Sequence, residues 1–185
     1  ADPTLTVSMK SVGEAMSIGR TFKEALQKGL RSLEIKKYGL ESVCFKNLAD
    51  IKADNGLLDT IHQKLRVANA ERLFYIGDAL RAGISIEKIH QMTNIDIWFL
   101  HNIQEIIDCE RELVRHKAAL TPELLRMAKE YGFSDRQLAS ILGMKEEEVY
   151  ALRKSFHITP DFKLVDTCAA EFLAHTPYYY STYDK

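Results

Sequence analysis

Apolar residues recur at helical spacing through most of this chain. The first stripe consists of Phe22, Leu26, Leu30 and Leu33. Thr21 stands before it as an N-cap, and Glu24 follows three residues later, as in a capping box. The pattern predicts a helix that begins after Thr21 and ends near Tyr38 and Gly39.

Residues 40–56 show no such period, and Asn55-Gly56 is a turn signal. We predict a loop there, with one helical turn at most and no chemistry. Helical stripes return over 57–65 and 69–82, so two more helices are predicted in these ranges.

The following hundred residues contain an internal repeat at an offset of 49 residues. Gly83 corresponds to Gly132 and Ser85 to Ser134, and apolar positions match through both units. In each unit the pattern predicts that the glycine ends one helix and that the serine caps a short second helix. A tight turn and a further helix are predicted to follow. The two units therefore predict helix-turn-helix hairpins packed in one compact bundle. The longest helix is predicted from Asp96 to about Lys117, and another begins at Thr121-Pro122.

Both ends of the chain show strand-like composition. Residues 7–14 alternate apolar and polar positions, and residues 163–172 and 177–183 are rich in strand-forming side chains. The predicted fold class is mainly α: a compact helical bundle with helix-turn-helix hairpin repeats and short β or extended segments at both ends. Because the helical part is too small to partner these segments, we expect them to belong to a larger protein.

The charge balance excludes several classes of function. The 185 residues carry 25 Lys and Arg against 26 Asp and Glu, a formal net charge of -1. No overall field attracts nucleic acid or an anionic membrane, and no apolar run approaches the roughly 20 residues of a membrane span. Without signal-peptide features, the chain is predicted to be cytoplasmic. The three cysteines share no CxxC spacing and are predicted to be reduced thiols.

No motif for catalysis, cofactor binding or metal binding is present. The six histidines lack paired-ligand spacing, and there is no glycine-rich phosphate loop or nucleophile motif. The second hairpin does have the spacing of a DNA-binding helix-turn-helix module, which is the alternative function. Glu146, Glu147 and Glu148 would then face a polyanion, and this repulsion argues against DNA.

Trp98 and Phe99 are the candidate interaction residues. They begin a helix that is apolar on more than one face. Two interpretations remain open: the rings lie in the core of a single chain, or they form an interface between subunits.

Three separated segments resemble one known family. They are residues 9–22 (MKSVGEAMSIGRTF), residues 93–100 (TNIDIWFL), and residues 165–172 with 176–183 (VDTCAAEF and TPYYYSTY). Each is similar to the carbamoyl-phosphate synthetase large subunit, and they occur in the order of that family. The resemblance implies three parts: residues 1–20 end a first ATP-grasp synthetase half, residues 21–158 form a helical oligomerisation domain, and residues 159–185 begin a second half.

The same resemblance implies what this chain does. It connects the two synthetase halves and self-associates, while the full-length enzyme makes carbamoyl phosphate from bicarbonate, glutamine-derived ammonia and ATP for arginine and pyrimidine synthesis. By resemblance, Val12, Gly13 and Glu14 line the carbamate tunnel. ATP and Mg or Mn would bind in the synthetase halves, and a small glutaminase subunit would be a further partner. The chain itself is expected to have no catalytic residue, no cofactor and no metal.

Overall fold

The computed structural model describes residues 7–8, 10–11, 13–169, 171–172 and 177–184. Within these ranges the chain forms eight helices and one two-stranded sheet, which confirms the predicted mainly α class. The elements are α1 Phe22–Ser32, α2 Asn55–Arg66, α3 Arg72–Arg81, α4 Ile86–Thr93, α5 Ile97–Arg115, α6 Pro122–Glu130, α7 Asp135–Leu142, α8 Glu146–Ser155, β1 Asp161–Leu164 and β2 Tyr179–Thr182.

Helix α1 begins as predicted but ends earlier. Thr21 Oγ1 accepts a hydrogen bond from the Glu24 backbone N–H at 3.2 Å, which confirms the cap. The predicted end near Gly39 is wrong, because the helix stops at Ser32 and Glu34 adopts a φ of 56°. The cause is tertiary: Leu40 is fully buried, and its N–H donates to Gln27 Oε1 at 3.0 Å, so the chain must turn back towards α1.

The internal repeat is confirmed. Helices α4 and α7 have the same length at the predicted offset, and Ser85 and Ser134 both cap them through their side chains. The glycines before the two units, Gly83 and Gly132, have φ values of 84° and 88°. These angles favour glycine, since other L residues adopt them only with strain.

Helix α5 lies at the centre of the bundle and packs against α1, α3, α4, α6 and α7. Leu100, Ile107 and Leu113 are completely buried along it. Buried charges fix the irregular segment between α1 and α2: Arg81 donates to the Leu40 carbonyl at 2.6 Å, and Asp78 Oδ2 accepts from the Val43 and Cys44 N–H groups at 2.9 and 2.8 Å.

The predicted C-terminal strands are confirmed in part: two strands pair with each other, but residues 165–169 and 171–172 of the predicted segment 163–172 form no strand. β1 and β2 are antiparallel, with Asp161 opposite Thr182 and Leu164 opposite Tyr179, and we call them the C-terminal hairpin. The described residues before α1 form no strand, contrary to their alternating pattern. A strand needs a neighbouring strand for its backbone groups, and the sheet formed by the described residues pairs β1 with β2 alone.

Candidate functional site

An exposed aromatic cluster lies where α5 begins. Asp96 Oδ1 accepts a hydrogen bond from the Trp98 N–H at 2.8 Å and so caps the helix. Trp98 is 55% exposed and Phe99 42% exposed. The interpretation that these rings form the core of a single chain is therefore wrong.

The third member of the cluster is Phe22, the first residue of α1. Its ring centroid lies 5.3 Å from those of Trp98 and Phe99, in edge-to-face geometry. Trp98 and Phe99 are themselves 5.0 Å apart at an angle of 86°. Such pairs contribute about 0.5–1.5 kcal/mol beyond area burial. The three rings, named here the aromatic cluster, are therefore held in fixed positions while facing solvent.

Charged side chains connect α1 to α5 beside the cluster. Lys23 Nζ donates to Glu105 and lies 3.4 Å from Asn102 Oδ1. The same ammonium lies 4.7 Å from the centroid of the Tyr131 ring, a cation–π contact. These contacts fix α1 against α5 and so fix the relative positions of Phe22 and the two α5 rings.

A buried ion pair on α1 binds the segments on both sides of the helical region. Glu24 is 1% exposed, and its Oε1 lies 2.9 Å from Lys28 Nζ. On the C-terminal side, Glu24 Oε2 accepts from the Thr182 hydroxyl at 2.9 Å. On the N-terminal side, the same oxygen accepts from the Arg20 N–H at 3.3 Å. We call Glu24 and Lys28 the α1 ion pair.

Lys28 also binds a group on each side of the helical region, as a hydrogen-bond donor. Its Nζ donates to the Ile18 carbonyl at 2.9 Å and to the Ser181 carbonyl. Each member of the α1 ion pair therefore binds one group before α1 and one group in β2. Arg20 and Asp184 add a 3.7 Å ion pair between the same two segments.

A second charged group holds the end of the C-terminal hairpin. Asp135 accepts from Lys129 and from Arg153, both at 2.8 Å, and the Tyr183 ring centroid lies 4.9 Å from Lys129 Nζ. Burial lowers the pKa of Lys129 to about 8, and Asp135 only partly offsets this effect. Burial opposes ionisation of Asp135, but Lys129 and Arg153 outweigh it and lower the pKa of the carboxyl group.

Two of the predicted tunnel-wall residues, Gly13 and Glu14, are not part of either arrangement. Val12 lies outside the described residues. Gly13 and Glu14 are exposed, and a methyl group added at Gly13 would meet no atom within 4 Å. The structure therefore brings Trp98 and Phe99 together but leaves Gly13 and Glu14 apart from them.

Sequence reasoning missed three residues of these arrangements: Phe22 as a cluster member, and Glu24 and Lys28 as the connecting pair. The sequence contained one usable signal, since Phe22 and Glu24 lie within or beside the family-like segment 9–22. Their partners lie far away in the chain, however, and local patterns do not identify such partners.

Other kinds of site find no support in the described residues. These residues contain no group of three or more His, Cys, Asp or Glu placed to hold a metal ion. None of their helices is both long and apolar enough to cross a membrane. Cys44, Cys109 and Cys168 are free thiols, and burial raises the pKa of Cys44 and of Cys109 to about 12.

Two comparisons with known proteins identify the family of this chain. The family of carbamoyl-phosphate synthetase large-chain oligomerisation domains matches residues 14–157. The large chain of carbamoyl phosphate synthase, N-terminal section, from Aquifex aeolicus (strain VF5) is 51% identical over all 185 residues. The chain spans 31% of the length of that relative. Neither match points to a nucleic-acid-binding module. The family match covers most of the chain, and the Aquifex relative is 51% identical over all of it. The chain therefore belongs to the family of carbamoyl-phosphate synthetase large-chain oligomerisation domains.

Proposed function

We propose that this chain self-associates through the aromatic cluster and connects the two synthetase halves of a carbamoyl-phosphate synthetase large chain. The observation that carries the self-association is the exposure of Trp98 and Phe99 on a rigidly packed helix. Aromatic side chains dominate the binding energy of protein interfaces when they are covered. A second copy of the chain is the partner that the family description supports.

The internal repeat provides a comparison within the molecule. At the start of α5 the three exposed positions before Leu100 are Ile97, Trp98 and Phe99. At the start of α8 the equivalent three positions before buried Val149 are Glu146–Glu148, and these are also exposed. The same hairpin therefore forms with carboxylates at these positions. Because the fold does not require apolar residues there, the aromatic residues of the first unit support a role in binding.

The apolar contribution of the two rings matches that of a hot spot within an interface, since a whole stable interface buries about 800 Å² per partner. Trp98 and Phe99 leave about half of their surfaces in water. For side chains of roughly 200 Å² each, covering both removes about 200 Å² per copy. At about 25 cal/mol per Å² this area contributes about 5 kcal/mol per copy, which is set against the loss of rotational and translational freedom.

The repeat also supplies the variant that tests this proposal. Trp98→Glu combined with Phe99→Glu gives the first unit the residues that the second unit carries at equivalent, folded positions. We expect sedimentation velocity over a concentration series to show an oligomer for the original chain. The double variant should dissociate at about 1,000-fold higher concentration, since each of the two interface aromatics is worth about 2 kcal/mol.

Tyr150→Glu is the matched control, because Tyr150 is a 49% exposed helical aromatic outside the cluster. This variant should assemble like the original chain. A monomer at about millimolar concentration, or equal assembly by the double variant and the original chain, would refute self-association through the cluster.

The connecting role is supported by the α1 ion pair, which binds residues 18 and 20 on one side and residues 181 and 182 on the other. We propose that residues 1–20 and 159–185 belong to the two synthetase halves and that residues 21–158 form the helical domain. Val12, Gly13 and Glu14 are proposed as tunnel-wall residues. The exposure of Gly13 and Glu14 in this chain leaves them available to contact the rest of such a protein.

The reaction is proposed for the whole protein rather than for this chain. That protein would be an ATP-dependent ligase that forms carbamoyl phosphate in the cytoplasm, with a small glutaminase subunit supplying ammonia. The described residues offer no fitting donor set for its Mg or Mn ions.

A further inference from the structure

The first turn of α1 lies between two sets of contacts. On one side, Phe22 packs against Trp98 and Phe99 in the aromatic cluster. Two residues later, Glu24 Oε2 accepts from the Thr182 hydroxyl of the C-terminal hairpin at 2.9 Å. Residues two apart on a helix point to different sides. This single turn therefore contacts both the aromatic cluster and the hairpin.

The Glu24 carboxylate also closes the turn. The oxygen that binds Thr182 accepts from the Arg20 N–H at 3.3 Å, and the Glu24 N–H donates to Thr21 Oγ1 at 3.2 Å. Glu24 is only 1% exposed beneath these contacts. When the hairpin leaves, water reaches the carboxylate and competes for the hydrogen bonds that close the turn.

The later turns of α1 are held by contacts of their own. Gln27 Nε2 donates to the Tyr131 carbonyl at 3.1 Å, and Arg31 Nη1 donates to the Gly132 carbonyl at 2.8 Å. Leu30 is buried in the core. Loss of the hairpin should therefore loosen the first turn while the later turns stay packed, because helix ends open at lower free energy than the core.

The C-terminal hairpin is the element with two states. It is a two-stranded sheet, and no third strand joins it among the described residues. A hairpin of this kind is marginally stable alone. Its position depends on the Thr182 and Ser181 contacts with the α1 ion pair and on the Tyr183 ring over Lys129. The hairpin is therefore either docked on α1 or open.

We propose that the first turn of α1 couples hairpin docking to the aromatic cluster, so that a second copy covering the cluster also holds the hairpin on α1. Both sets of contacts need the same turn to be formed, and each raises the population of the state that the other requires. The coupling is reciprocal, so a docked hairpin favours assembly by the same factor. The effect on assembly rests on the proposed self-association, whereas the coupling within one chain does not.

The first experiment measures the coupling in a single chain through Trp98, the only tryptophan of the sequence. Thr182→Asp places a second carboxylate against buried Glu24 and should open the hairpin, which exchange of the β1 and β2 amides verifies. Ser181→Asp is the matched control, since neighbouring residues of a strand point to opposite faces. At concentrations where the chain is monomeric, time-resolved fluorescence anisotropy should show a larger amplitude of Trp98 ring motion in Thr182→Asp than in the control.

The second experiment measures the same coupling from the cluster. Phe22→Ala removes the ring that connects α1 to the cluster, and the β1 and β2 amides should then exchange about fivefold or more faster, the lower end of typical coupling between sites. Leu33→Ala, at the exposed far end of the same helix, should leave them unchanged. A hairpin that stays closed in Thr182→Asp, unchanged Trp98 motion beside an open hairpin, or unchanged exchange in Phe22→Ala would overturn the coupling.

Sedimentation velocity then tests the effect on assembly. Thr182→Asp should dissociate at about fivefold higher concentration or more than Ser181→Asp, and equal assembly of these two variants would overturn the effect of the hairpin on assembly. A chain that is monomeric at every concentration would instead refute the proposed self-association. The two single-chain experiments would decide the coupling in that case too.

Discussion

The hydrogen bond between Thr182 and Glu24 should determine how firmly the C-terminal hairpin is held. Thr182 is 1% exposed, and its hydroxyl lies 2.9 Å from Glu24 Oε2. Thr182→Val keeps the shape of the side chain and removes only the hydroxyl. The carboxylate then keeps Lys28 at 2.9 Å and the longer contact to the Arg20 N–H at 3.3 Å.

The expected loss follows from the charge of the acceptor. A hydrogen bond to a charged group contributes about 1.5–3 kcal/mol, more than one between neutral groups. Because 1.36 kcal/mol corresponds to a factor of ten, opening of the hairpin should become about 10- to 100-fold more frequent. The helical bundle should open less often than the hairpin, since its core lies on α5 rather than on the two strands.

Amide hydrogen exchange measures this difference residue by residue. Amides of β1 and β2 should exchange about 10- to 100-fold faster in Thr182→Val, while those of α5 should change much less. Thr60→Val is the matched control, because Thr60 is exposed and its hydroxyl only contacts the Gly56 carbonyl of its own helix at 3.0 Å. Unchanged hairpin amides, or an equal acceleration along α5, would refute the reasoning.

Two further predictions concern buried charges. Arg81→Met leaves two buried carboxylates without their cation, so the free energy of unfolding in urea should fall by about 3–5 kcal/mol; a fall below about 1 kcal/mol would contradict this. For Lys129, burial lowers the pKa to about 8 in the folded chain from 10.5. The unfolded chain therefore binds more protons between these values, and the unfolding free energy should rise with pH by up to about 1.4 kcal/mol per unit above pH 8. Lys129→Met should lack this rise between about pH 7.5 and 9, and parallel pH profiles for the two proteins would contradict the assignment.

Local signals explain why the repeat was predictable. Gly83, Ser85 and their counterparts Gly132 and Ser134 act through neighbouring backbone groups, so their effect is visible within a few residues of sequence. The end of α1 was not predictable in this way. It depends on burial of Leu40 and on Gln27, whose side chain is itself held in the interior.

The candidate sites depend even more on distant contacts. Trp98 and Phe99 stand out in the sequence, but only the folded chain shows that they are exposed to solvent and that Phe22 packs against both of them. Glu24 has the spacing of a helix cap, and nothing near it in the sequence indicates Thr182, 158 residues away. Pairing of this kind is decided by the assembled fold, because many other hydroxyl groups would satisfy the same carboxylate.

The contacts of the α1 ion pair have a geometric consequence for protein engineering. The backbone enters the helical body beside the place where it leaves, since Arg20 and Asp184 lie within 3.7 Å of each other. A unit with neighbouring points of entry and exit can be inserted into a surface loop of another protein without forcing the two sides of that loop apart. Transplanted in this way, residues 18–184 would carry the exposed rings of Trp98 and Phe99 into a host protein.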